Sequence, residues 1–404
     1  MPDAPRANAV VGQSGGPTAV INESLVGVIE QAVQCPQIEN LYGAVHAVEG
    51  MASDRFIDLT RLSRQQLDAV AASPCSALGS SRDKPDADYC ARIFEVFRKR
   101  NIRYFFYIGG NDSANTANII NKMAADVGYE LRAFHIPKTI DNDLLVTDHC
   151  PGYGTAARFV ACALMGDDLD NRALPGIKIN VLMGRHAGFL TAASVLGKQR
   201  PDDGPHLVYV PEKGVSLEKI LSDVENVYTR LGRCVIAKSE GVTDVDGVTW
   251  AEKIAAGRTE TDAHGNVQLS GMGTLADFLA GQIKSKLGVK RVRADTFGYL
   301  QRSFVGVRSE VDAREARACG REAVRLAAEH ISGSVAIRRL ANGPDYRVEL
   351  FRTDLTSVAE KTRSMPDEFI NDQGNGVTEK FVEYAMPLVG PLPKTAYLAG
   401  NQPV

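Results

Sequence analysis

The chain has 404 residues, of which 44% are apolar and 24% are charged. One hydrophobic core stops growing at roughly 250 to 300 residues, so this length predicts two packed lobes. The 46 Lys and Arg residues against 49 Asp and Glu residues give a formal net charge of −3, which argues against a general nucleic-acid or anionic-membrane surface. An anionic ligand would therefore have to be held by a local site.

Two further features of the composition indicate the compartment. No apolar run approaches the roughly 18 residues of a membrane span, and the first residues lack the pattern of a signal peptide. The seven cysteines are scattered and contain no C-x-x-C pair, which is typical of free thiols rather than of disulfides or a zinc site. We expect a cytoplasmic protein that binds neither membrane nor nucleic acid.

In the first part of the chain, strand-like apolar runs alternate with helical patterns, as in βαβ units with parallel sheets. Strands are predicted near residues 8–11, 103–108 and 131–136. The helix after the second of these is predicted to run from about residue 113 to 127, with Gly128 ending it.

The alternation restarts near residue 154, with a helix to about residue 172, a strand at 177–183 and a helix from His186. The helical pattern at 311–329 is predicted to return to the first lobe, and 334–354 to form a hairpin. We expect an α/β fold of two Rossmann-like lobes, with parallel-rich sheets flanked by helices. The predicted parts are 1–153 with about 302–354, then 154–301, and an extension at 355–404 with no assigned role.

The segment GQSGGPTAVIN, residues 12–22, lies between a predicted strand and a helix. Loops of this kind turn backbone N–H groups towards an anion, and the helix N-terminus adds partial positive charge. Taken alone, a tight turn for close helix packing explains it equally well, because it matches neither the P-loop nor the dinucleotide fingerprint.

The segment IGGNDSANTA, residues 108–117, is a second loop of this kind at a strand end. Two such loops at one edge of a sheet favour a phosphate site, because open α/β folds bind ligands there. Asp112 is unusual in it, since a carboxylate repels phosphate unless a cation intervenes. Its alternative role is the N-cap of a helix that starts at Ser113.

The segment PKTIDND, residues 137–143, follows the third strand. It offers a candidate general base, a candidate metal ligand, a cation for phosphate and a hydroxyl within seven residues. A plain Asp-Asn-Asp turn is the alternative.

Together with GSSR (79–82), MGRHAG (183–188), KSEG (238–241) and GYLQR (298–302), these three segments resemble 6-phosphofructokinases in order and spacing. More narrowly, they look like the pyrophosphate-dependent branch. The resemblance covers about residues 8–330 and implies the phosphofructokinase fold.

The resemblance also implies roles for individual residues. Asp141 would be the general base for the sugar C1 hydroxyl, Thr139 would hold the transferred phosphoryl or the sugar hydroxyl, and Arg185 would stabilise the transferring phosphoryl. The residues implied for pyrophosphate binding are Gly16, Arg82, Asp112, Ser113 and Lys138, and Lys138 is implied to be catalytic as well. Those implied for the sugar phosphate are Thr139, Asp141, Met183, Gly184, Arg185, Glu240, Arg293, Tyr299 and Arg302. Those implied for Mg²⁺ are Asn111, Asp112 and Asp143.

Three positions bear on the choice of phosphoryl donor. ATP-using members of the family typically have Gly where this chain has Asp112 and Lys138. A charged side chain at the first position fills the space of an α-phosphate, and the lysine supplies a cation to a short, highly charged donor. Val48 falls where ATP-using relatives place an aromatic residue against adenine.

The chain also departs from the family pattern. Asn111 replaces a common Asp, so its direct coordination of Mg²⁺ is left open. Gly176 replaces an Arg that reaches a neighbouring subunit's sugar phosphate. Lys178 lies on the same strand face and is either its substitute or a solvated strand-end lysine.

The expected activity is reversible, Mg²⁺-dependent transfer of phosphoryl from pyrophosphate to fructose 6-phosphate, in glycolysis or gluconeogenesis, by a homodimer or homotetramer. The alternatives are an ATP-dependent 6-phosphofructokinase and a non-catalytic regulatory paralogue that binds sugar phosphate. Allosteric relatives place basic residues where this chain has Val26 and Glu30. The resemblance therefore implies an enzyme without allosteric control.

Overall fold

The computed structural model describes residues 5–255, 274–359 and 361–398. Parts of the predicted first lobe (1–4), of the second lobe (256–273) and of the C-terminal extension (360 and 399–404) lie outside the described residues. In chain order, the strands are β1 (Ala7–Gln13), β2 (Ile38–Ala44), β3 (Phe56–Asp58), β4 (Ile102–Gly109), β5 (Arg132–Pro137), β6 (Ile177–Leu182), β7 (Leu207–Tyr209), β8 (Cys234–Ser239), β9 (Val292–Thr296), β10 (Ser332–Ala341) and β11 (Arg347–Thr353).

The α-helices alternate with these strands. They are α1 (Ile21–Gln34), α2 (Val48–Ala52), α3 (Arg64–Ala72), α4 (Ala87–Lys99), α5 (Asn111–Asp126), α6 (Tyr153–Ala173), α7 (Phe189–Ala192), α8 (Leu217–Leu231), α9 (Trp250–Ala255), α10 (Thr274–Leu287), α11 (Leu300–Ser303), α12 (Glu310–Glu329), α13 (Leu355–Val358) and α14 (Glu379–Val389). Short 3₁₀ turns span Ala193–Gly197, Gly343–Asp345 and Asp367–Phe369.

The strands form two sheets. A seven-stranded sheet has the order β11-β10-β5-β4-β1-β2-β3, and a four-stranded sheet has the order β7-β8-β6-β9. Pairing is parallel throughout except at the two edges of the larger sheet, where β3 and β11 are antiparallel. Parallel strands with buried faces explain why runs such as RYFFYI are almost wholly apolar.

Helix α12 packs beside α1 in the layer that covers the larger sheet. A Cβ atom at Gly27 would lie 2.0 Å from the Arg317 carbonyl oxygen, and one at Gly320 would lie 2.1 Å from the Ser24 carbonyl oxygen. Glycine at both positions therefore lets the two helix backbones touch.

Most of the elements predicted from the sequence are present, and the hairpin β10–β11 extends the larger sheet beside β5. Two helix starts differ from the prediction. Helix α5 begins at Asn111 rather than near Ser113, because Gly110 is its N-cap residue. Helix α7 begins at Phe189 rather than His186, because Gly188 is its N-cap residue. The division of the chain into the three parts named above stays a prediction.

Two general properties also bear on the expectations. In the part of the chain that the structure describes, no helix combines the length and the apolar character needed to cross a bilayer. All seven cysteines are free thiols, and five of them are buried.

Candidate active site

A cleft of about 330 Å³ opens where strands of both sheets end. Its walls come from the loops that follow β1, β4 and β5 of the larger sheet and β6 and β8 of the smaller one. Carboxyl ends of parallel strands are the usual place for ligands in open α/β folds. The lining residues are Ser14, Gly15, Gly16, Pro17, Thr18, Arg82, Asp83, Lys84, Gly110, Asn111, Asp112, Ser113, Thr116, Lys138, Thr139, Ile140, Asp141, Asp143, Met183, Arg185, His186, Glu240, Tyr299, Arg302 and Thr362.

The loop after β1 is joined to the segment 79–82. The Gly15 backbone N–H donates to the Ser81 carbonyl oxygen at 3.0 Å, and the Ser80 hydroxyl donates to the Gly15 carbonyl oxygen at 2.7 Å. Gly15 has φ +74°, in the left-handed region that favours glycine. This pairing brings Arg82 to the same wall of the cleft as Gly16.

The loop after β4 presents the N-terminus of α5 to the cleft. Gly110 is the N-cap residue and no side chain caps the helix, so the expected N-cap role of Asp112 is wrong. Asp112 instead lies in the first turn, where its carboxylate pairs with Lys84. The uncapped N–H groups of this turn and the helix dipole favour an anion in the cleft.

Lys138 lies between these two loops and is 3% exposed. Its ammonium group donates to the backbone carbonyl oxygens of Ser14 at 2.8 Å and Gly16 at 2.6 Å. Burial, together with the positive charges of Arg302 and Arg82, lowers the pKa of Lys138 to about 7. The positive charges of Lys138, Arg302 and Arg82 repel one another, so an anion bound between them would reduce this repulsion.

His135, on β5, contacts the end of β4 from which the next loop starts. It is fully buried, and burial lowers its pKa to about 4, so the imidazole is neutral at pH 7. Its Nε2 atom lies 2.8 Å from the Gly109 carbonyl oxygen and its Nδ1 atom 2.7 Å from the Ser334 hydroxyl. The neutral ring thus ties the end of β4 to β10.

Asp141 and Asp143 face the cleft on either side of Asn142. Asn142 has φ 58°, a left-handed conformation that Asn tolerates better than most residues. Burial raises the pKa of Asp141, against the opposing positive charges of Arg302 and Arg185. Burial and the neighbouring Asp141 raise the pKa of Asp143 to about 7. The two carboxylates therefore lie close together in a buried space, where the charge of one disfavours ionisation of the other.

The opposite wall comes from the smaller sheet. Glu240 and Met183 are 5% and 6% exposed, and the Met183 N–H donates to the Gln301 side-chain oxygen at 3.3 Å. Gly184 has φ +136°, and its carbonyl oxygen accepts a hydrogen bond from the Ser239 hydroxyl at 2.6 Å. This wall faces the two aspartates across the cleft.

Arg302 joins the two walls. A Cβ atom at Gly16 would lie 3.0 Å from the Arg302 guanidinium carbon, so glycine at that position leaves room for the guanidinium group. The guanidinium carbon also lies 4.9 Å from the Tyr299 ring centre. Arg302 thereby reaches the first loop of the larger sheet from a helix that follows the smaller one.

The family comparison agrees with this geometry. The model of the phosphofructokinase family matches residues 8–327. The chain belongs to the phosphofructokinase family. The resemblance noted from the sequence, the α/β fold and the phosphotransferase class of enzyme are thereby confirmed.

Two relatives and one solved structure show how far the similarity extends. The chain is 54% identical over 386 residues to pyrophosphate--fructose 6-phosphate 1-phosphotransferase of Rhodospirillum rubrum, covering 95% of each chain. It is 38% identical over 392 residues to the protein of the same name from Xanthomonas campestris pv. campestris, and the match covers 95% of this chain and 91% of that protein. The crystal structure of pyrophosphate-dependent phosphofructokinase from Nitrosospira multiformis matches with a TM-score of 0.84 at 31% identity. The match covers 98% of this chain and 95% of that chain.

Three positions that were weighed from the sequence lie away from the cleft of this phosphofructokinase. Val48 is fully buried in a hydrophobic cluster and is not among the residues that line the cleft. Arg293 is exposed on β9, outside the cleft, and donates to the Val292 carbonyl oxygen. Lys178 is not a solvated lysine, because it pairs at 2.5 Å with both Asp167 and Asp170.

The structure also adds residues to which the sequence analysis gave no role. Lys84, Thr362 and His186, which lies inside the MGRHAG motif, line the cleft. Thr362 belongs to the same C-terminal region as Arg363 and Tyr384, which contact the loop that carries the two aspartates. Lys84 follows the GSSR motif by two residues, so an extended motif would have included it. The last three come from a region without a recognisable motif.

The carboxylates of the cleft fit a hard cation that is shared with phosphate. Among the described residues, no group of three or more His, Cys, Asp or Glu side chains is placed to hold a metal alone. Mg²⁺ usually binds through one or two carboxylates plus substrate phosphates and water. Asp143 offers such a ligand, and its raised pKa shows that the positive charge around it does not offset its burial.

Proposed function

We propose that this phosphofructokinase transfers a phosphoryl group from pyrophosphate to the C1 hydroxyl of fructose 6-phosphate. The products are fructose 1,6-bisphosphate and orthophosphate. The observation that carries the proposal is the buried Lys138 ammonium group, held with Arg82 and Arg302 between two backbone loops. The names of the relatives from Rhodospirillum rubrum and Xanthomonas campestris support the same donor and acceptor.

Pyrophosphate would lie between the loop after β1 and the N-terminus of α5. Lys138, Arg82 and the backbone N–H groups near Ser113 would bind its oxygens. Positioned charge of this kind is the main contribution that proteins make to phosphoryl transfer. Asp112 and Lys84 close the outer end of this space, which favours a donor with two phosphates over a nucleoside triphosphate.

Fructose 6-phosphate would lie against the smaller sheet, with Glu240, Met183 and Tyr299 around the sugar and Arg185 beside the transferring phosphoryl. Asp141 accepts the proton of the C1 hydroxyl, whose oxygen forms a bond to the nearer phosphorus of pyrophosphate. The bond from that phosphorus to the bridging oxygen breaks, and orthophosphate leaves. Asp141 holds the proton at the end of the step.

Asp143, Asp112 and Asn111 are the residues that would hold Mg²⁺. When it is bound, the ion neutralises part of the charge on the phosphate oxygens. Such an ion would also stabilise the charged form of Asp143, whose pKa is raised by burial and by Asp141. Asn111 contributes an amide oxygen without charge.

The remaining expectations concern direction, assembly and compartment. We propose that the reaction is reversible, that it serves glycolysis or gluconeogenesis in the cytoplasm, and that the enzyme lacks allosteric control. Arg293 lies outside the cleft of its own chain, so a role in sugar-phosphate binding would require a second copy of the chain to bring it there. We propose a homodimer or homotetramer, which would meet this requirement.

A coupled assay of fructose 1,6-bisphosphate formation tests the proposal, with pyrophosphate and with ATP as alternative donors at equal Mg²⁺. Turnover with pyrophosphate alone is the expected result. Turnover with ATP alone would make the protein an ATP-dependent kinase on the same scaffold. No turnover with either donor, combined with binding of fructose 6-phosphate, would indicate a regulatory paralogue.

A further inference from the structure

The C-terminal segment runs along the loop that carries Asp141 and Asp143. Residues Leu144 and Thr362 form an antiparallel bridge, and the Arg363 N–H donates to the Asp143 carbonyl oxygen at 2.8 Å. These contacts place the segment directly behind the carboxylates. Thr362 itself lines the cleft.

The Arg363 guanidinium group binds the backbone of the same loop at three places. It donates to the carbonyl oxygens of Asn142 at 2.9 Å, Thr147 at 2.9 Å and Asp148 at 2.6 Å. A planar guanidinium group presents five N–H donors in a fixed arrangement, which a lysine cannot reproduce. Arg363 therefore fixes the path of the loop rather than a single atom.

Tyr384, from helix α14, fixes the residue between the two aspartates. The Asn142 side-chain amide donates to the Tyr384 hydroxyl at 2.8 Å, and that hydroxyl donates to the Asp148 carbonyl oxygen at 2.8 Å. The Asn142 side-chain oxygen accepts from the Cys150 N–H at 2.9 Å. Asn142 is fully buried, and the hydrogen bonds of its side-chain nitrogen and oxygen together hold its left-handed backbone conformation.

The same segment also reaches the opposite wall of the cleft. One oxygen of Glu212 accepts from the Met365 N–H at 2.8 Å and from the Gly188 N–H at 2.9 Å. The Arg363 guanidinium carbon lies 5.0 Å from the Phe189 ring centre. The segment thus connects the aspartate loop to the end of the loop that follows β6.

We propose that Arg363 and Tyr384 are positioning residues, which hold Asn142 so that Asp141 and Asp143 keep the orientation that phosphoryl transfer requires. This inference rests on the proposed function, in which Asp141 is the base. It assigns a role to the C-terminal extension that its sequence did not indicate. Small displacements of a base are costly because proton transfer needs close hydrogen-bond geometry.

The test compares Tyr384→Phe with the matched control Tyr209→Phe. Tyr209 is buried where Tyr384 is partly buried, and its hydroxyl also donates to a polar partner, Asp223, but it lies away from the cleft. We expect Tyr384→Phe to lower kcat about threefold to tenfold, the size of effect that a lost hydrogen bond gives, with both KM values within about twofold. Tyr209→Phe should lower the unfolding temperature without this change in kcat.

A second comparison isolates the action through Asn142. Glycine adopts the left-handed conformation without a side-chain anchor, so Tyr384→Phe should have little further effect on kcat in an Asn142→Gly background. Arg363→Lys, which keeps the charge but not the three hydrogen bonds, should also lower kcat with KM retained. Additive losses in the double variant would contradict action through Asn142.

The outcomes separate this inference from the proposed function. Wild-type turnover with pyrophosphate and an unchanged kcat in both Tyr384→Phe and Arg363→Lys would overturn the positioning role alone. Turnover with ATP alone would overturn the donor assignment, and the same comparison of kcat values with ATP would still decide the positioning role. No turnover with either donor would overturn both.

Discussion

The Lys84 ammonium group lies 3.2 Å from the Asp112 carboxylate, and both residues line the cleft. Both side chains are more than half exposed, so the pair contributes little to stability. Its position matters more than its strength. In the binding mode proposed above, it places a pair of charges where a donor longer than pyrophosphate would have to pass.

Replacing Asp112 tests this consequence. We expect Asp112→Gly to open the space and to free Lys84 for a third phosphate, so that ATP turnover becomes measurable. Turnover with each donor is the measurement, and Lys84→Ala is the control that removes the pair without opening the helix N-terminus. If Asp112→Gly keeps turnover with pyrophosphate, which shows that it still functions with Mg²⁺, but gains none with ATP at any concentration, exclusion by this side chain is not what selects the donor.

Asp141→Asn keeps the shape of the side chain and removes the base. We expect kcat to fall by roughly 10² to 10⁴ with KM nearly constant, as for loss of general-base catalysis. Steady-state kinetics with both substrates provide the measurement. Unchanged turnover would remove Asp141 from the proposed mechanism.

The charge of Lys138 predicts a pH dependence of pyrophosphate binding. Burial lowers the pKa of Lys138 to about 7, so in the free enzyme the ammonium group loses its proton as the pH rises above about 7. We expect the KM for pyrophosphate to rise above that pH, by up to about tenfold per pH unit. Pyrophosphate itself also titrates in this range. The pH profile of Lys138→Ala, which lacks the ammonium group, reports this effect of the substrate and serves as the control. Parallel pH profiles for the two enzymes would contradict the prediction.

His149 predicts a pH dependence of stability. Burial alone would lower its pKa, but hydrogen bonds to Asp148 and Glu315 outweigh burial and raise it above 6.5. Because the folded-state pKa is the higher one, this stabilisation is fully present below pH 6.5 and is lost as the pH rises through the folded-state value.

Urea unfolding of wild type and His149→Gln between pH 6 and 9 checks this prediction. The difference in the free energy of unfolding should shrink as the pH rises, by about 1.4 kcal/mol for each unit by which the pKa is raised. A difference that stays constant with pH would mean that the pKa of His149 is the same in the folded and the unfolded protein.

The region of helix α1 predicts the absence of effector control. Val26 is fully buried, and the Glu30 carboxylate pairs with Arg317, Arg321 and Arg64. Neither position can bind a phosphate. We expect hyperbolic kinetics with fructose 6-phosphate, unchanged by millimolar ADP or phosphoenolpyruvate. Sigmoidal curves, or a several-fold shift of half-saturation, would reveal an effector site elsewhere.

The sequence by itself determined which loops meet at the cleft. Residues 12–22, 108–117 and 137–143 each follow an apolar strand, and parallel strands of one sheet end at one edge. The alternation of strands and helices also predicted the fold class, because the periodicity of apolar residues is local information. Lys138 and the two carboxylates of Asp141 and Asp143 could be named for the same reason, since they lie within one short segment, but the choice of Asp141 as the base came from the family resemblance.

Only the tertiary structure decided how those residues are held. Asn142 and Tyr384 are 242 residues apart in the chain, and no local pattern predicts their hydrogen bond. The partner of Asp112, the burial of Val48 and the ion pairs of Lys178 likewise depend on which elements pack together. A side chain's type sets what it can bind, but its exposure and its partners are set by contacts between distant parts of the chain.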